Sequence, residues 1–283
     1  MTAAGSRPLG LIAGNGRFPF LFAEAARARG VSVAAVAIRE ETDPALDRCV
    51  DRVAWFHVGQ LSAMIDFLKS AGCTEAVMAG QVRLRLLYQD FGEMMADPLA
   101  SELVARIADR RGDSVLAAVA AVLEAHGIRL RESTLFLEHL VAASGSIAGR
   151  APTPAEEEDI AFGWGIAKQL AALAIGQTVV VKDRAVIAVE AIEGTDACIR
   201  RAGALGRGGV VVVKVSRPDQ DMRFDVPVVG AATVRALAEA KAAAMAVEAG
   251  RTLILDRDEV VRLADEAGIA LVAREGDPAT RRG

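Results

Sequence analysis

The sequence LGLIAGNGRFPFLFAEAARARG, residues 9–30, decides the fold at the start of this 283-residue chain. Its first six residues form a short apolar run that stops at glycine, which predicts a buried strand. The segment FPFLFAEAARARG then has the apolar spacing of a helix, and it closes at Gly30. A glycine-rich turn between a first strand and a first helix is typical of α/β folds that hold phosphate at a helix N-terminus.

The alternation of strands and helices continues beyond this unit. Apolar segments at 31–38, 52–58 and 75–80 predict further strands, with helices between and after them. The segment RLRESTLFLEHL at 129–140 predicts a last strand. Because the strands are apolar almost throughout, they indicate a parallel sheet covered on both faces. We therefore predict an α/β fold, with a parallel-sheet domain at 1–145.

The composition changes in AASGSIAGRAPTPAEEED, residues 142–159. Glycine, serine and two prolines precede an acidic helix start, which predicts a linker at 146–158 and a second α/β domain at 159–283. Within this domain, residues 177–192 predict two strands around a Lys-Asp-Arg turn. The segment DMRFDVPVVG at 221–230 predicts a strand or an extended loop.

Composition and charge exclude several classes of protein. The net charge of −4 argues against a nucleic-acid partner, since such proteins usually carry a basic face. No apolar run approaches the roughly 18 residues that span a bilayer, and the N-terminus predicts a strand rather than a signal peptide. Three cysteines without a CxxC pair fit a reducing cytoplasm. Three dispersed histidines leave a hard cation on oxygen ligands as the expected metal.

The turn AGNGRFP at 13–19 is the first candidate site. Gly14, Asn15, Gly16 and Arg17 precede a helix whose N-terminal N–H groups can face a phosphate. Pro19 stands where the dinucleotide fingerprint has its third glycine, which weakens the case for NAD in particular. A plain strand-to-helix turn is the alternative interpretation.

Gly80 and Gln81 end a predicted strand of the same sheet. Since the carboxyl ends of parallel strands meet at one edge, we expect these two residues to share a crevice with the first turn. Asp113 precedes a helix and is either a cap or a contact to phosphate or metal. Glu40 and Glu41 follow the second strand, where a ribose-binding acid would fall, although adjacent glutamates in that place are common.

Two motifs in the second half of the chain have polar or charged side chains within or directly after predicted apolar strands. In VEAIEGTDACIRR at 189–201, Glu190 precedes a helix start at which Thr195 or Asp196 is a natural N-cap, and the free N–H groups of that start can instead face an anion. Lys214 lies in a strand of valines, where an ammonium is costly unless it reaches an anion. It is therefore a candidate for stabilising charge on phosphoryl oxygens.

The segment DQDMRFD at 219–225 repeats a charged residue at every second position. In an extended chain, Asp219, Asp221, Arg223 and Asp225 would share one face. Such a row is either a solvated edge strand or a set of acids that holds a divalent cation. Magnesium usually takes one or two carboxylates, with substrate phosphates and water completing its shell.

Taken together, the motifs GLIAGNGRFP, MAGQV, VEAIEGTD and QDMRFDVPVVG, with a Gly-Asp pair before a helix, resemble the UDP-2,3-diacylglucosamine pyrophosphatase family of the LpxI type over nearly the whole chain. The resemblance implies a Rossmann-like N-terminal domain and a distinct C-terminal domain. It also implies Mg²⁺-dependent (or Mn²⁺-dependent) hydrolysis of UDP-2,3-diacylglucosamine to UMP and 2,3-diacylglucosamine 1-phosphate, lipid X, in lipid A biosynthesis.

The resemblance makes Asp225 the essential aspartate of the QD-x-R-x-D-x-P motif. With it we predict Lys214 as a second catalytic residue, and Asp225, Asp221 and Glu190 as metal ligands. The predicted substrate contacts are Gly14, Asn15, Gly16, Arg17, Gly80, Gln81, Asp113, Thr195, Asp196 and Gln220.

The implied substrate is a lipid-linked UDP-sugar, reached by a cytoplasmic protein that touches the inner face of the inner membrane. No nucleic acid is expected, and a homodimer stays open. Two rival functions remain at this point: a Rossmann-type NAD-dependent oxidoreductase, and a carrier of lipid or nucleotide that catalyses nothing.

Overall fold

The computed structural model describes residues 7–82, 96–107 and 112–276. Two compact units emerge from the contacts within the chain. One comprises Met1–Glu138 and Asp221–Asp225, and the other comprises His139–Gln220 and Val226–Gly283. The segment proposed as a linker, 146–158, lies in the second unit. The domain boundaries at 145 and 159 stay predictions.

The first unit is built on a parallel sheet, which confirms the predicted sheet type. Its described strands are β1 (Leu9–Ala13), β2 (Val33–Ile38), β3 (Arg52–Phe56), β4 (Glu75–Ala79) and β5 (Arg129–Leu130). They lie in the order β3-β2-β1-β4-β5, and each neighbouring pair is parallel. This is the doubly wound order, in which the direction of strand addition reverses between β1 and β4. That reversal is the topological switch point of the sheet.

Helices cover this sheet and bury it. The described helices of the unit are α1 (Phe18–Ala28), α2 (Leu61–Ser70), α3 (Pro98–Arg106) and α4 (Gly112–Ala125), with a short 3-10 turn at Pro44–Arg48. All six residues of β2 are buried, which explains why its sequence VAAVAI does not alternate. Phe22 of α1 and Leu68 of α2 are fully buried in the unit.

The strand expected over 129–140 is wrong beyond its first two residues. Leu135 and Leu137 donate their N–H groups to the carbonyls of Glu132 and Thr134, at 3.0 and 2.7 Å. These turn hydrogen bonds take backbone groups that a strand would use for its ladder. A second 3-10 turn follows at Glu138–Leu140.

The second unit contains a mixed sheet, as expected for a second α/β domain. Its described strands are β6 (Gly145–Ser146), β7 (Thr178–Lys182), β8 (Ala185–Val189), β9 (Val211–Lys214), β11 (Ala244–Glu248) and β13 (Ala270–Arg274). The order is β6-β13-β11-β9-β7-β8, and the central β13, β11 and β9 are parallel. A separate parallel pair joins β10 (Val228–Val229) to β12 (Leu253–Ile254).

Four described helices pack around this sheet: α5 (Pro154–Ala172), α6 (Thr195–Gly206), α7 (Ala231–Glu239) and α8 (Arg257–Glu266). The predicted turn between β7 and β8 is present, and Asp159 of α5 accepts the N–H groups of Asp183 and Arg184 at 3.0 and 2.6 Å. Within the described ranges, no helix is long and apolar enough to cross a membrane.

Candidate functional site

The structure brings the two glycine-containing turns of the first unit together at the switch point. The N–H of Gly14 donates to the carbonyl of Ala79 at 2.9 Å, and the N–H of Asn15 donates to the carbonyl of Gln81 at 2.8 Å. A β-bridge thereby joins Asn15 to Gln81 beyond the carboxyl ends of β1 and β4. This is the edge at which open α/β sheets bind their ligands.

Close packing explains why both turns contain glycine. A Cβ at Gly14 would lie 2.5 Å from the carbonyl oxygen of Gln81, and a Cβ at Gly80 would lie 2.5 Å from that of Asn15. Gly16 and Gly80 both have a positive φ, of +85° and +88°, but a Cβ at Gly16 would meet nothing within 4 Å. Glycine is thus required at 14 by contact, at 80 by contact and backbone conformation, and at 16 by backbone conformation next to open space.

Two residues that follow β2, Glu41 and Thr42, form hydrogen bonds that hold this turn in place. The side-chain amide of Asn15 donates to Glu41 Oε2 at 2.6 Å, and Glu41 is buried. Thr42 donates its hydroxyl to the carbonyl of Ala13 at 2.6 Å. Glu41 therefore orients Asn15, a role that the position of an acid directly after the second strand could have suggested. Arg17 packs over the ring of Phe20, with 5.8 Å from its guanidinium carbon to the ring centroid.

The segment with the alternating acids is a turn and not an extended strand. Residues 222–224 form a turn in which the N–H of Asp225 donates to the carbonyl of Asp221 at 2.9 Å. The carboxylate of Asp221 accepts the N–H of Arg223 at 3.0 Å, a local bond that favours a turn over a strand. The expectation of one shared face is wrong for this reason.

Asp221 and Arg223 form a bidentate ion pair inside the turn. Arg223 Nη2 lies 2.7 Å from Asp221 Oδ2, and Arg223 Nε lies 3.0 Å from Asp221 Oδ1. The Arg223 guanidinium holds the pKa of the Asp221 carboxyl below its usual range. Arg223 Nη1 also donates to Glu124 Oε1 of α4 at 2.6 Å. The carboxylate of Asp221 is therefore engaged in holding the turn.

Ser133, which sequence reasoning missed, anchors this turn to the first unit. Its N–H donates to the carbonyl of Met222 at 2.9 Å. Its buried hydroxyl lies 2.6 Å from the carbonyl oxygen of Met78 in β4 and 2.9 Å from that of Arg223. Phe224 packs against the apolar core of the same unit. The turn that carries Asp225 is thus fixed by residues distant in the sequence.

The other predicted residues of this motif lie in different surroundings. Gln220 is buried, and its side-chain oxygen accepts the N–H of Arg217 at 2.6 Å. The side chain of Asp219 is 87% exposed and lies 4.0 Å from Arg217 Nε. Asp113 belongs to α4, but its side chain is outside the described residues.

In the second unit, the structure brings Lys214, Thr195 and Glu190 together. Lys214 Nζ, at the end of β9, donates to Thr195 Oγ1 at 3.1 Å and to the carbonyl of Val228 at 3.2 Å. The hydroxyl of Thr195 donates to Glu190 Oε1 at 2.8 Å. Among the described residues, Lys214 makes no ion pair. Its ammonium is partly buried, and its hydrogen bonds to described residues are to neutral oxygens, which suits contact with an anion.

The start of α6 is not capped by a side chain. Its N-cap residue is Gly194, with φ of 84°, while Thr195 binds Glu190 and Asp196 accepts the hydroxyl of Thr233 at 3.1 Å. Glu190 Oε2 also lies 3.3 Å from the N–H of Gln177. The predicted alternative of a capping role for Thr195 or Asp196 is therefore wrong.

The donor set decides how far these residues suit a divalent cation. Within the described part of the chain, no group of three or more His, Cys, Asp or Glu side chains could hold a metal. Magnesium needs fewer protein ligands, because substrate phosphates and water supply the rest. Carboxylate oxygen at Asp225 is the ligand type that it prefers, so the residues fit a cation that arrives with a phosphorylated substrate.

Comparison with known proteins covers almost the whole chain. The LpxI N-terminal domain model matches residues 8–140, and the LpxI C-terminal domain model matches residues 143–272. The UDP-2,3-diacylglucosamine pyrophosphatase LpxI of Caulobacter vibrioides is 33% identical over 274 residues, which cover 93% of this chain and 96% of that protein.

One solved structure shows a distant likeness to this chain. The biotin carboxylase domain of the Hydrogenobacter thermophilus 2-oxoglutarate carboxylase aligns with 64% of this chain and 36% of its own, at 11% identity and a TM-score of 0.28.

Both domain models match in the expected order, and the identity to the Caulobacter protein extends over nearly the full length of both chains. The chain belongs to the LpxI family.

Proposed function

We propose that this chain hydrolyses the pyrophosphate of UDP-2,3-diacylglucosamine to UMP and 2,3-diacylglucosamine 1-phosphate, a step of lipid A biosynthesis. The observation that carries the proposal is the 33% identity, over 93% of the chain, to a protein named as that pyrophosphatase. In the reaction, water adds to one phosphorus atom and the bridging P–O bond breaks, so that no oxidant or second substrate is needed.

Asp225 is the residue proposed to act at the reacting phosphorus. Its backbone is held by the Asp221 carbonyl, and the turn is held by Ser133. A carboxylate whose backbone is fixed in this way can orient a water molecule or bind a cation with little movement of the main chain. We assign it the catalytic role and the role of first metal ligand.

Lys214 and Thr195 are proposed as contacts to phosphoryl oxygens. The hydrogen bonds that Lys214 Nζ makes to described residues, at 3.1 and 3.2 Å, are to neutral oxygens, so its charge can stabilise the negative charge that develops as the P–O bond breaks. Glu190 accepts the Thr195 hydroxyl and holds it towards the lysine. Asp196 and Gln220 complete the proposed contacts of this half of the chain.

The switch-point turns of the first unit are proposed to bind another part of the substrate. Gly16 borders open space, and α1 begins without a side-chain cap at Arg17. The N–H groups at such a helix start favour an anionic group. We assign Gly14, Asn15, Gly16 and Arg17, with Gly80 and Gln81, to this contact.

Dependence on Mg²⁺ or Mn²⁺ is part of the proposal. Asp225 would hold the ion, with Asp221 and Glu190 as the other predicted ligands. When bound, the ion neutralises pyrophosphate charge and acidifies a bound water. Because Arg223 already binds the Asp221 carboxylate through both oxygens, we rank Asp221 below Asp225 as a ligand.

The test is UMP release from UDP-2,3-diacylglucosamine by the full chain, with Mg²⁺, with EDTA, and after Mg²⁺ is restored. Asp225→Asn is compared with Asp219→Asn, because Asp219 is in the same motif but 87% exposed. We expect release that EDTA abolishes, a loss of about 100-fold or more in Asp225→Asn, and nearly unchanged activity in Asp219→Asn.

Each part of the proposal has its own contrary result. Substrate binding without UMP release would indicate a carrier. A rise in the melting temperature with NAD, and not with UMP or 2,3-diacylglucosamine 1-phosphate, would indicate an oxidoreductase. Full activity in EDTA would refute the metal dependence but not the hydrolase activity. Equal activity of Asp225→Asn and Asp219→Asn would refute the catalytic role proposed for Asp225.

Cytoplasmic location, transient membrane contact and a homodimer are further proposals. The first two follow from a substrate whose acyl chains lie in the bilayer. Flotation with vesicles that contain the substrate tests the contact, and sedimentation equilibrium tests the dimer.

A further inference from the structure

Two neighbouring loops of the second unit expose three large aliphatic side chains. The loop between α5 and β7 exposes Leu173 and Ile175, by 67% and 47%, and the loop between β8 and α6 exposes Ile192, by 81%. The N–H of Glu190 donates to the carbonyl of Thr178 at 2.9 Å, so the chain enters β7 beside the point at which it leaves β8. The two loops are therefore neighbours, and we call the surface formed by the three side chains the apolar tip.

The first of these loops is an ordered turn without charge. The N–H of Ile175 donates to the carbonyl of Leu170 at 3.1 Å, and the N–H of Ala174 donates to that of Ala171 at 3.0 Å. These are the two hydrogen bonds of a Schellman motif, whose left-handed position is Ala174, with φ of 53°. No residue from 169 to 181 is charged. An exposed apolar turn of this kind is typical of contact with an apolar partner.

The carboxylates beside Ile192 are bound within the unit. Glu193 accepts the N–H of Ala191 at 3.1 Å and pairs with Arg201 Nη2 at 2.6 Å. Glu190 is engaged at the start of α6, where it accepts a hydroxyl at 2.8 Å. The apolar tip can therefore leave water without taking an unpaired charge with it.

The apolar tip lies at the same edge of the second sheet as Lys214. Thr178, at the start of β7, is the register partner of Lys214 at the end of β9. Ile192 lies in the loop that leads to Thr195, whose hydroxyl oxygen accepts from Lys214. A partner that held the tip would therefore lie beside the residues proposed to contact phosphoryl oxygens.

The size of the apolar tip favours a lipid bilayer over a second protein chain. A stable protein interface takes roughly 20 to 30 residues from each partner, whereas the tip has three. Insertion into a bilayer has no such minimum, because each buried methylene adds to the binding free energy. The net charge of −4 opposes adsorption to anionic lipid, so the attraction has to come from apolar contact.

We propose that the apolar tip inserts into the acyl region at the surface of a lipid bilayer and brings the Lys214 edge of the second unit to the level of the headgroups. The link to catalysis rests on the proposed function, since that substrate carries acyl chains. Because the contact is apolar, it needs no anionic lipid and does not weaken as salt is added.

The first test is flotation of the full chain with substrate-free phosphatidylcholine vesicles, at low and high salt, over a range of lipid concentrations that gives a partition coefficient. We expect binding that salt does not reduce. The double variant Leu173→Ser with Ile192→Ser should lower the partition coefficient by about tenfold or more. Leu205→Ser is the matched control, because Leu205 is 65% exposed but lies near the other end of α6, and it should change the coefficient by less than about twofold.

The second test separates docking from the chemistry. For UDP-2,3-diacylglucosamine held in phosphatidylcholine vesicles, the double variant should raise the KM for UMP release by about tenfold. For an analogue whose acyl chains are too short to enter a bilayer, its kcat and KM should equal those of the wild type. That result also shows that the double variant is folded.

Several results overturn the proposal. These are a wild type that does not float with phosphatidylcholine vesicles, binding that requires anionic lipid, or equal partition coefficients for the double variant and Leu205→Ser. Loss of a dimer in the double variant, with vesicle binding unchanged, would assign the tip to a second copy of the chain. Vesicle binding without UMP release refutes the hydrolase alone, and wild-type KM for vesicle-held substrate in the double variant refutes the docking alone.

Discussion

At the residue scale, Lys214 is a candidate catalytic residue because it is a charged residue in a strand of valines. Valines precede it in β9, and its ammonium reaches Thr195 and the carbonyl of Val228. Lys182 ends β7 after a similar valine run, yet its ammonium is held by the carbonyls of Gly206 and Gly208 at 2.9 and 3.0 Å. The two lysines look alike in sequence and differ in their proposed function.

We predict that Lys214→Gln lowers kcat/KM for UMP release by about 10- to 100-fold, because a hydrogen bond from a charged donor to the substrate is lost. Lys182→Gln is the control, since it removes the same charge from a strand end whose contacts are internal. Steady-state kinetics of both variants check this. Equal losses in the two variants would show that these lysines act only through stability.

At the element scale, the turn at 222–224 takes its conformation from its own side chains and its position from Ser133. The Asp221 carboxylate and carbonyl close the turn, while the Ser133 hydroxyl bridges it to Met78. Asp225 follows this turn directly. The position of the predicted catalytic residue therefore depends on Ser133, which lies 92 positions before Asp225 in the sequence (225 − 133 = 92).

We predict that Ser133→Ala lowers kcat more than it changes KM, because Asp225 is less well positioned. Loss of the hydroxyl removes the one hydrogen that the carbonyls of Met78 and Arg223 share, and costs about 1–3 kcal/mol. Hydrogen exchange at the amides of Phe224 and Asp225 should become faster. Ser70→Ala, which removes an exposed hydroxyl at the end of α2, should change neither kcat nor exchange. Unaltered exchange in Ser133→Ala would contradict the positioning role.

At the scale of the whole molecule, stability is tied to pH through a buried ion pair of the second unit. Glu248 is 5% exposed, and its pKa is lowered by Lys168 and Ser216 against the effect of burial. A carboxyl with a depressed folded pKa contributes stability above its unfolded pKa of about 4.3. That contribution is lost as the pH falls through the folded pKa.

We predict that Glu248→Gln unfolds more easily at pH 7, by about 3–5 kcal/mol, because it leaves Lys168 buried without its partner. The difference from the wild type should shrink as the pH falls below about 4. Urea unfolding between pH 3 and 7 measures both effects. The control is Glu266→Gln, an exposed partner of Arg262, for which we expect a change within about 0.5 kcal/mol. A pH-independent difference for Glu248→Gln would contradict the linkage.

Sequence patterns predicted most of the fold and named the candidate motifs, but they did not predict the contacts between motifs. Glu40 and Glu41 were noted only for their place after the second strand. The structure shows that Glu41 binds Asn15, while Glu40 pairs with His57. The alternation in 219–225 predicted one charged face. That prediction was wrong because the Asp221 carboxylate accepts the backbone N–H of Arg223 and closes a turn.

The sequence by itself determined the α/β class, the parallel first sheet, the β7–β8 hairpin and the resemblance to the LpxI family. These depend on local apolar runs, glycine stops and short motifs, which are legible without contacts. Only the tertiary structure decided that the turn before Asp225 packs in the first unit, that Ser133 and Glu124 hold it, and that Lys168 pairs with the buried Glu248. The reason is physical: these interactions join residues separated by tens of positions, up to 99 for Arg223 and Glu124, and chain folding alone brings them into contact.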